Sequence, residues 1–397
     1  MPLIKEPQIT ELRKNVINFE NNYLKTDVQK LTLHKMIEAF LLLNEITKQC
    51  QSEFIFRGGT CLPLVLQTEY NRFSTDLDFI VTDREQFARD LNKIKKADII
   101  RELTVSESNK PWVLLQTASI DNIFQSGKGT IPLHSTIYKS SEVLRFDTQK
   151  SPIIIPFPDL RVEFDEMVVT PTRNSLLVDK LLTLSKNTVG YKEDEYSSRF
   201  KQVYDCGLLF DNFVGLDNLF LNFQEHFNFK LQTMGISNRY EELFTDLTQS
   251  LISFVMLGLK NLPNHNLSTD CQNLKSRALA IFKQYIYSSP YPNERQLFSI
   301  FGSKLLILVH IFNLLHLETL SINEGEKLVQ IIKDLLKNLK NLSSSERNTE
   351  LRQTKRALGI NPKFHSSLWC SCFPLTNFDN LGLETIKLLE IYFDLKR

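Results

Sequence analysis

The sequence predicts an α+β protein, in which a mixed sheet with flanking helices is followed by an all-α helical bundle. Three patterns in the 397 residues lead to this prediction. Helical periodicity comes first, short segments rich in β-forming residues occupy the middle, and helical periodicity returns from Asn174 to the end. Strands mixed with helices early and helices alone later are typical of a sheet domain with an appended bundle. We therefore predict two domains, residues 1–212 and 213–397.

The first elements alternate between helix and strand. Apolar residues recur at helical spacing in Leu31–Lys48, which predicts an amphipathic helix. The apolar run Phe54–Arg57 predicts a buried strand that ends at Gly58-Gly59. Thr60 is then a suitable N-cap for the short apolar stretch that follows. A second strand is predicted at Asp76–Val81.

The middle of the chain changes character after a helix predicted at residues 83–100. Between residues 110 and 170, short segments rich in β-branched and aromatic residues alternate with glycine and proline, which predicts several strands. Two helices are predicted next, at Leu176–Leu184 and Ser198–Phe210. The amphipathic segments that follow predict the helical bundle.

Composition and charge exclude several classes of protein. With 42% apolar residues, and 47 basic side chains against 46 acidic ones, the chain is too apolar and too balanced to be disordered. A net charge of +1 gives no overall basic field, so any contact with nucleic acid must rest on local patches. The longest apolar stretches, Leu251–Leu259 and Leu305–Leu317, are too short or too interrupted to span a bilayer, so we expect no membrane. Six scattered cysteines and a polar N-terminus predict reduced thiols and a cytoplasmic location.

Two short motifs carry the chemistry of the predicted site. Gly58-Gly59-Thr60 follows a strand, where glycines let the backbone approach a ligand closely and free N–H groups attract phosphate. Asp76 and Asp78 lie on a predicted strand, where residues two apart point to the same face. Two carboxylates that project together need a cation, and hard oxygen ligands suit Mg²⁺ bound to a nucleoside triphosphate. Each motif alone is common, and a solvent-exposed strand face is the alternative for the two aspartates. Their order and spacing, with Arg72-Phe73-Ser74 between them, are far more specific.

The combined stretch resembles the signature of a known family. Arg57-Gly58-Gly59-Thr60-Cys61-Leu62 is followed by Arg72-Phe73-Ser74-Thr75-Asp76-Leu77-Asp78. The AbiEii family of abortive-infection proteins, the nucleotidyltransferase toxins of type IV toxin–antitoxin systems, typically has K-G-G-T-A-L and then R-F-S-x-D-x-D. Here arginine replaces the usual lysine and cysteine the usual alanine. The resemblance covers residues 30–210 and implies a nucleotidyltransferase-type mixed sheet. It also implies that the nucleotide is bound by Arg57, Gly58, Gly59, Thr60, Arg72 and Ser74.

The resemblance extends to two helices beyond the predicted sheet. A lysine in an E-K-L-like context of the family matches Lys180, and an acidic position of the next helix matches Asp205, although Gln202-Val203 replaces a common R-D pair. Two alternatives stay open. Lys180 has several leucine neighbours and would extend to solvent, and Asp205 would form an ordinary helix pair with Lys201. The family implies catalytic roles for four residues: Asp76, Asp78, Lys180 and Asp205.

Related nucleotidyltransferases add a third carboxylate from a neighbouring strand. Glu163 and Asp165 are the candidates, and because they are two residues apart they point to one side of a predicted strand. The family pattern aligns Glu163 with the acid, which makes Asp165 the second choice, and a polar outer strand face is the alternative. The implied metal ligands are Asp76, Asp78 and Glu163, with Mg²⁺ as the cofactor and Mn²⁺ as a substitute.

The resemblance implies transfer of a nucleoside monophosphate from an NTP to an acceptor hydroxyl, with pyrophosphate leaving past Lys180 and Arg57. The 3′ end of a tRNA is the expected acceptor, and a cognate antitoxin is the expected protein partner. A protein or small-molecule acceptor is one alternative, and a non-catalytic binding module of the same fold is another. Two groups of basic residues would contact RNA phosphates, although a solvated helix face is the favoured reading of each. They are Lys93, Lys95, Lys96 and Arg101, and, near the C-terminus, Arg347, Arg352, Lys355, Arg356 and Lys363.

Overall fold

The computed structural model divides the chain into two compact units. The first comprises Met1–Leu176 and Phe282–Ser288, and the second comprises Leu177–Ile281 and Ser289–Arg397. Our division into domains at residue 212 stays a prediction. The structure describes residues 6–67, 71–96, 100–106, 113–121, 123–124, 128–137, 147–157, 159–190, 195–237, 239–258, 266–288, 294–343, 345–346, 349–350, 353, 385–389 and 391.

The first unit contains seven described strands and four complete helices. In chain order they are α1 (Glu6–Tyr23), α2 (Asp27–Gln49), β1 (Phe54–Arg57), α3 (Leu62–Leu66), β2 (Leu77–Val81), α4 (Arg84–Lys96), β3 (Glu102–Ser106), β4 (Val113–Asp121), β5 (Lys128–Ile137), β6 (Thr148–Phe157) and β7 (Leu160–Pro171). Five strands form a mixed sheet in the order β1-β2-β5-β4-β3, in which only β2 and β5 are parallel. The other two strands, β6 and β7, form a separate antiparallel pair. This architecture confirms the predicted α+β class.

The core of the first unit follows from the predicted alternation and periodicity. Leu33, Ile37 and Phe40 recur at helical spacing on α2 and are fully buried. On β2, the ring of Phe79 lies 5.3 Å from that of Phe54, and similar contacts reach Phe56 and Phe87. Because side chains alternate along a strand, this burial of Phe79 turns the neighbouring position 78 to the opposite face. Both predicted strands are therefore confirmed, with the second beginning at Leu77, one residue later than expected.

One local prediction is wrong. Helix α3 begins at Leu62 with Cys61 as its N-cap and has no side-chain capping bond. Thr60 does not cap it, because the Thr60 hydroxyl donates instead to the backbone carbonyl of Asp76, at 2.7 Å. The helix has only five residues and ends at Gln67 in the left-handed conformation. A long-range hydrogen bond has thus replaced the expected local one.

Beyond Leu176 the described elements are helices, as the sequence predicts. Helix α5 (Arg173–Leu182) connects the two units in sequence. It is followed by α6 (Tyr196–Asn212), α7 (Leu216–Met234), α8 (Tyr240–Val255), a 3-10 turn (Met256–Gly258), α9 (Asn266–Tyr285), α10 (Glu294–His316) and α11 (Ile322–Asn341). Helix α10 is long and apolar enough to cross a bilayer, but 83% of its most apolar window is buried inside the protein. It therefore has the character of a bundle core helix, as we expected for this stretch.

Candidate active site

The two glycines after β1 leave space that acidic and basic side chains of the second motif occupy. Gly58 has a φ of +83°, which side chains other than glycine rarely adopt, and a Cβ built there would overlap the carboxylate of Asp78. A Cβ on Gly59 would lie 2.7 Å from both Arg72 Nη2 and Ser74 Oγ. The structure therefore brings the two predicted motifs together at one place, with charged groups directly over the glycine backbone.

Backbone pairing and one buried hydroxyl fix this arrangement. Arg57 and Asp78 are partners in the antiparallel β1–β2 ladder, so both side chains lie on the same face of the sheet. Thr60 is fully buried, and its hydroxyl donates to the Asp76 carbonyl at 2.7 Å. The Thr60 side chain therefore joins the two motifs, and only its backbone remains for the nucleotide contact that the family implies. Asp76 itself is half-buried and accepts a hydrogen bond from the Thr75 hydroxyl at 3.2 Å.

A histidine that no motif pointed to completes the face. His134 lies opposite Asp78 in the parallel β2–β5 ladder, and its Nδ1 is 3.3 Å from Asp78 Oδ1. The side chains of His134 and Asp78 are 41% and 29% exposed, so both are accessible to a ligand. The hydrogen bond to Asp78 raises the pKa of His134, burial opposes this shift, and the charges of Asp78 and Asp76 add to it. The position could have been found only from strand pairing, because its own sequence context has no catalytic signature.

The candidates for a third carboxylate lie on β7. Val169 of this strand packs against Ile55 and Ile80, and Ile80 is two residues from Asp78 on β2, so β7 covers part of the same face. Glu163 accepts a hydrogen bond from Arg161 at 2.7 Å, and its side chain is 60% exposed. Asp165 is also exposed and lies where the β6–β7 register shifts. The choice between these two acids as a metal ligand stays a prediction.

The residues present fit an Mg²⁺ ion that is shared with a substrate. Within the described part of the chain, no group of three or more His, Cys, Asp or Glu side chains forms a cation site. Asp76 and Asp78 therefore offer an incomplete protein set. Mg²⁺ in proteins is commonly held by one or two carboxylates together with substrate phosphates and water. Asp78 occupies the space over Gly58, and Arg72 and Ser74 occupy the space over Gly59, so these side chains are the groups that a bound metal and its phosphates would meet there.

The second unit contains the two helical candidates, and they contact each other. Lys180 Nζ on α5 lies 2.8 Å from Asp205 Oδ2 on α6, and the two side chains are 4% and 0% exposed. Gln202 accepts a second, longer hydrogen bond from Lys180 at 3.4 Å. The alternative in which Lys180 extends to solvent is therefore wrong. A buried lysine and aspartate compensate each other's charge, and the catalytic role of the pair stays a prediction.

The basic groups considered for RNA contact are described only in part. Lys93 forms an ion pair with Asp90 at 3.0 Å, and Arg101 forms one with Asp121 at 2.6 Å, so both cations already compensate local acids. The side chains of Lys95 and Lys96 lie outside the described residues. The same holds for the whole C-terminal group: Arg347, Arg352, Lys355, Arg356 and Lys363.

Comparison with known proteins identifies a family that the chain matches. A family model described as the nucleotidyl transferase AbiEii toxin of type IV toxin–antitoxin systems matches residues 41–260, which is more than half of the chain. This range contains every residue that the sequence predicts for the active site. No protein with a curated description matches the chain.

Three solved structures are similar to this chain at low sequence identity. The structure of JHP933 from Helicobacter pylori has 14% identity and a TM-score of 0.38, and the match covers 79% of this chain and 99% of that one. A putative nucleotidyltransferase from H. pylori has 13% identity and a TM-score of 0.37, with 75% and 99% covered. The nucleotidyltransferase toxin MenT4 from Mycobacterium tuberculosis has 10% identity and a TM-score of 0.40, with 76% and 98% covered.

Proposed function

This chain belongs to the AbiEii family of nucleotidyltransferase toxins, and we propose that it transfers a nucleoside monophosphate from an NTP to an acceptor hydroxyl. One observation carries the proposal: the Asp78 carboxylate lies directly over Gly58, while Arg72 and Ser74 lie over Gly59. Two motifs that are separate in sequence thus combine an acidic pair with basic and hydroxyl groups over the glycine backbone. That combination suits a metal–triphosphate complex, whose metal needs oxygen ligands and whose phosphates need donors.

The roles of the residues follow from their chemistry. Asp76 and Asp78 would hold Mg²⁺, and Arg57 and Arg72 would neutralise phosphate charge, with the Ser74 hydroxyl as a further donor. When bound, Mg²⁺ supplies Lewis-acid neutralisation of the phosphate oxygens. The side chains over Gly58 and Gly59 would hold the triphosphate so that the acceptor hydroxyl can attack in line with the bond to pyrophosphate. As the acceptor oxygen bonds to the α-phosphorus, the bond to pyrophosphate breaks, pyrophosphate leaves, and the hydroxyl proton passes to solvent.

Three further residues complete the proposal on the strength of the family resemblance. We propose Glu163 as a third metal ligand, with Asp165 as the second choice. Lys180 and Asp205 are proposed catalytic residues as well, and their buried ion pair is consistent with a lysine held in one fixed conformation. Comparison of Glu163→Gln with Asp165→Asn tests the third ligand. The variant that removes the true metal ligand should lose transfer activity at least about tenfold and should lose its dependence on Mg²⁺. The variant of the other acid should keep wild-type activity.

Membership in a type IV toxin–antitoxin family implies a cognate antitoxin as a partner. We propose that the acceptor is the 3′ end of a tRNA in the cytoplasm, whose modification would stop translation. The near-zero net charge is compatible with this acceptor, because an enzyme that contacts only an RNA end needs few cations. A protein hydroxyl or a small molecule is the second candidate acceptor.

The test is a labelling experiment with purified protein. Wild type, Asp76→Ala, Asp78→Ala and the control Glu85→Gln, whose side chain is 86% exposed, are incubated with each labelled NTP, MgCl₂ and total tRNA. We expect label in RNA for wild type and Glu85→Gln, and a loss of at least about 1,000-fold for the two aspartate variants. Label in the protein fraction would favour the second acceptor. Equal labelling by all four proteins, or none by any, would contradict the proposed transfer reaction.

A further inference from the structure

A short segment from the helical half of the sequence returns to the first unit of the structure. This return segment, Phe282–Ser288, is separated from the rest of its unit by more than 100 residues of sequence. It follows α9 and lies outside residues 41–260, which the family model matches. No family motif therefore includes the return segment, and its role has to follow from its contacts.

The return segment pairs with the R-F-S motif through two backbone hydrogen bonds. Phe73 N–H donates to the Tyr285 carbonyl at 2.7 Å. Tyr287 N–H donates to the Asn71 carbonyl at 3.2 Å. The rings of Tyr287 and Phe73 are stacked with their centroids 5.3 Å apart. The backbone of the motif is therefore fixed on both sides of the arginine at its centre.

This pairing places the Ile286 side chain beside that of Arg72. The two residues are partners in an antiparallel bridge that lies between the two hydrogen bonds. In a pair of this non-hydrogen-bonded kind the Cα atoms are about 4.5 Å apart, and both side chains point to the same face. Arg72 is 2% exposed and Ile286 is 3% exposed, so the two side chains share a buried environment. Arg72 Nη1 donates to the Phe73 carbonyl at 3.1 Å, and Arg72 Nη2 is the atom that lies over Gly59.

The return segment is itself held firmly by the first unit. Gln29 Nε2 on α2 donates to the Ile286 carbonyl at 3.2 Å, in a buried hydrogen bond. The ring of Tyr287 lies 5.3 Å from that of Phe19 on α1 and 5.6 Å from that of Phe157 on β6. Aromatic contacts of this kind and a buried hydrogen bond leave little freedom to the residue between them. Ile286 is therefore a fixed wall beside the arginine.

We propose that Ile286 is a positioning residue, which holds Arg72 in the conformation that places its guanidinium over Gly59 for binding to the phosphates of the NTP. This inference rests on the nucleotide site of the proposed function. Arginine loses much rotamer entropy when it is ordered, so a wall that orders it beforehand strengthens phosphate binding without contact to the nucleotide. The helical half of the sequence thereby contributes to the nucleotide site, because α9 leads directly into the return segment.

The experiment measures dissociation constants of Mg²⁺–NTP complexes by titration calorimetry, with the NTP that binds wild type most tightly. Ile286→Ala removes the wall and keeps the backbone pairing. Ile131→Ala is the matched control, because Ile131 is also fully buried in the first unit. It is three residues from His134 on β5 and so faces the other side of the sheet. We expect Kd to rise about fivefold for Ile286→Ala and less than about twofold for Ile131→Ala, although thermal melting should show a similar loss of stability in both. Ile286→Val should restore most of the affinity.

A double-mutant cycle tests whether Ile286 acts through the arginine. Arg72→Met removes the guanidinium and fills most of the buried space, so this variant should fold and bind the NTP more weakly than Ile286→Ala does. In the Arg72→Met background, Ile286→Ala should change Kd less than about twofold, because no guanidinium remains to be positioned. Inorganic triphosphate with Mg²⁺ should give the same pattern in all variants, because the proposed role concerns phosphate.

The outcomes separate this inference from the proposed function. A Kd for Ile286→Ala within about twofold of wild type overturns the positioning role, and so does an equal rise for Ile131→Ala. An unchanged fivefold effect in the Arg72→Met background overturns it too, because Ile286 would then act independently of the arginine. Wild-type protein that binds NTP but transfers no label refutes the transfer reaction alone, and the Kd ratios still decide the role of Ile286. Wild-type protein that binds no NTP overturns both.

Discussion

The active-site face of the first unit and the ion pair of the second unit compensate their carboxylates in opposite ways. Asp78 is 29% exposed, is hydrogen-bonded to a histidine and lies over the backbone of Gly58. Asp205 is 0% exposed and contacts Lys180 at 2.8 Å in a closed interior. The accessible carboxylate can therefore take a cation from solution, whereas the buried one depends on a cation from the protein itself. Exposure thus separates a carboxylate that is open to a metal ion from one whose charge a lysine of the protein already compensates.

The largest effect should come from breaking the buried pair. We expect Lys180→Met and Asp205→Leu, made singly, each to lower the free energy of unfolding by about 3–5 kcal/mol, because each leaves an uncompensated buried charge. The double variant should recover most of this loss, since two apolar side chains then fill the site without any charge. Urea denaturation of all four proteins measures the coupling.

The same four proteins test whether the pair also serves catalysis. If Lys180 has the catalytic role that the family implies, the double variant should be stable yet transfer no label. Recovery of stability together with activity would reduce the pair to a purely structural element. Additive losses in the double variant, with no recovery, would contradict the buried-charge argument itself.

Glu38 extends the comparison to a buried carboxylate whose negative charge is not fully compensated. Glu38 on α2 is completely buried, and among the described groups its Oε1 accepts the Ile123 N–H at 3.2 Å while its Oε2 has no hydrogen-bond partner. Burial raises the pKa of Glu38 from 4.5 to about 7. Below pH 4.5 both the folded and unfolded states hold the proton, and between pH 4.5 and 7 only the unfolded state loses it. The free energy of unfolding should therefore fall by about 3 kcal/mol over this window and stay low above it.

Glu38→Gln is the variant that checks this pH dependence. Glutamine keeps an oxygen to accept the Ile123 N–H and cannot ionise, so the decline between pH 4.5 and 7 should disappear and the variant should be the more stable protein at pH 8. Denaturant midpoints across this pH range measure it, with Glu85→Gln at an exposed site as the control. If the denaturant midpoints of wild type and Glu38→Gln changed in parallel with pH, this acid would ionise normally in the folded protein.

Gly58→Ala tests whether the open backbone at the active site matters for function as well as for folding. Two costs are expected, the strain of a non-glycine residue at a φ of +83° and displacement of the Asp78 carboxylate by the new Cβ. Gly235→Ala is a matched control, because its φ is +64° and nothing lies within 4 Å of the new Cβ. Gly235→Ala should lose about 1–2 kcal/mol of stability from strain alone, and Gly58→Ala should lose more because Asp78 must also move, as thermal or urea denaturation would measure. Only Gly58→Ala should also lose transfer activity, by at least about tenfold. Equal activity of both variants would remove Asp78 from the proposed mechanism.

Patterns of neighbouring residues in the sequence predicted the parts of the site that depend on alternation along a strand, on the glycine pair or on a family motif. Alternation placed Asp78 and the buried Phe79 on opposite faces of β2, and the glycine pair indicated a backbone position that other groups can approach closely. The family motif supplied Lys180 and Asp205, whose side chains do meet. The local leucine pattern nevertheless allowed Lys180 to extend to solvent, because it contains no information about the acid that a later helix presents.

The missed residues depend on contacts that span the chain. His134 reaches Asp78 only because β5 pairs with β2, and this neighbour is set by sheet order rather than by residue type. Thr60 looked like a helix cap, yet its hydroxyl bonds to the carbonyl of Asp76, sixteen residues away. In each case a long-range contact decides the role, and periodicity does not report it.

The smallest expected effect concerns His134, which orients the accessible carboxylate. The hydrogen bond between His134 Nδ1 and Asp78 Oδ1 should hold this carboxylate in one orientation. His134→Ala should therefore lower kcat about tenfold with little change in the KM for the NTP. His134→Asn, whose amide can donate at a similar position, should restore part of the loss. Stability should change little in either variant, since the side chain is 41% exposed. Initial rates of transfer at saturating and limiting NTP measure kcat and KM. An unchanged kcat for His134→Ala would mean that Asp78 keeps its orientation without the histidine, and the accessible carboxylate would then depend on its cation alone.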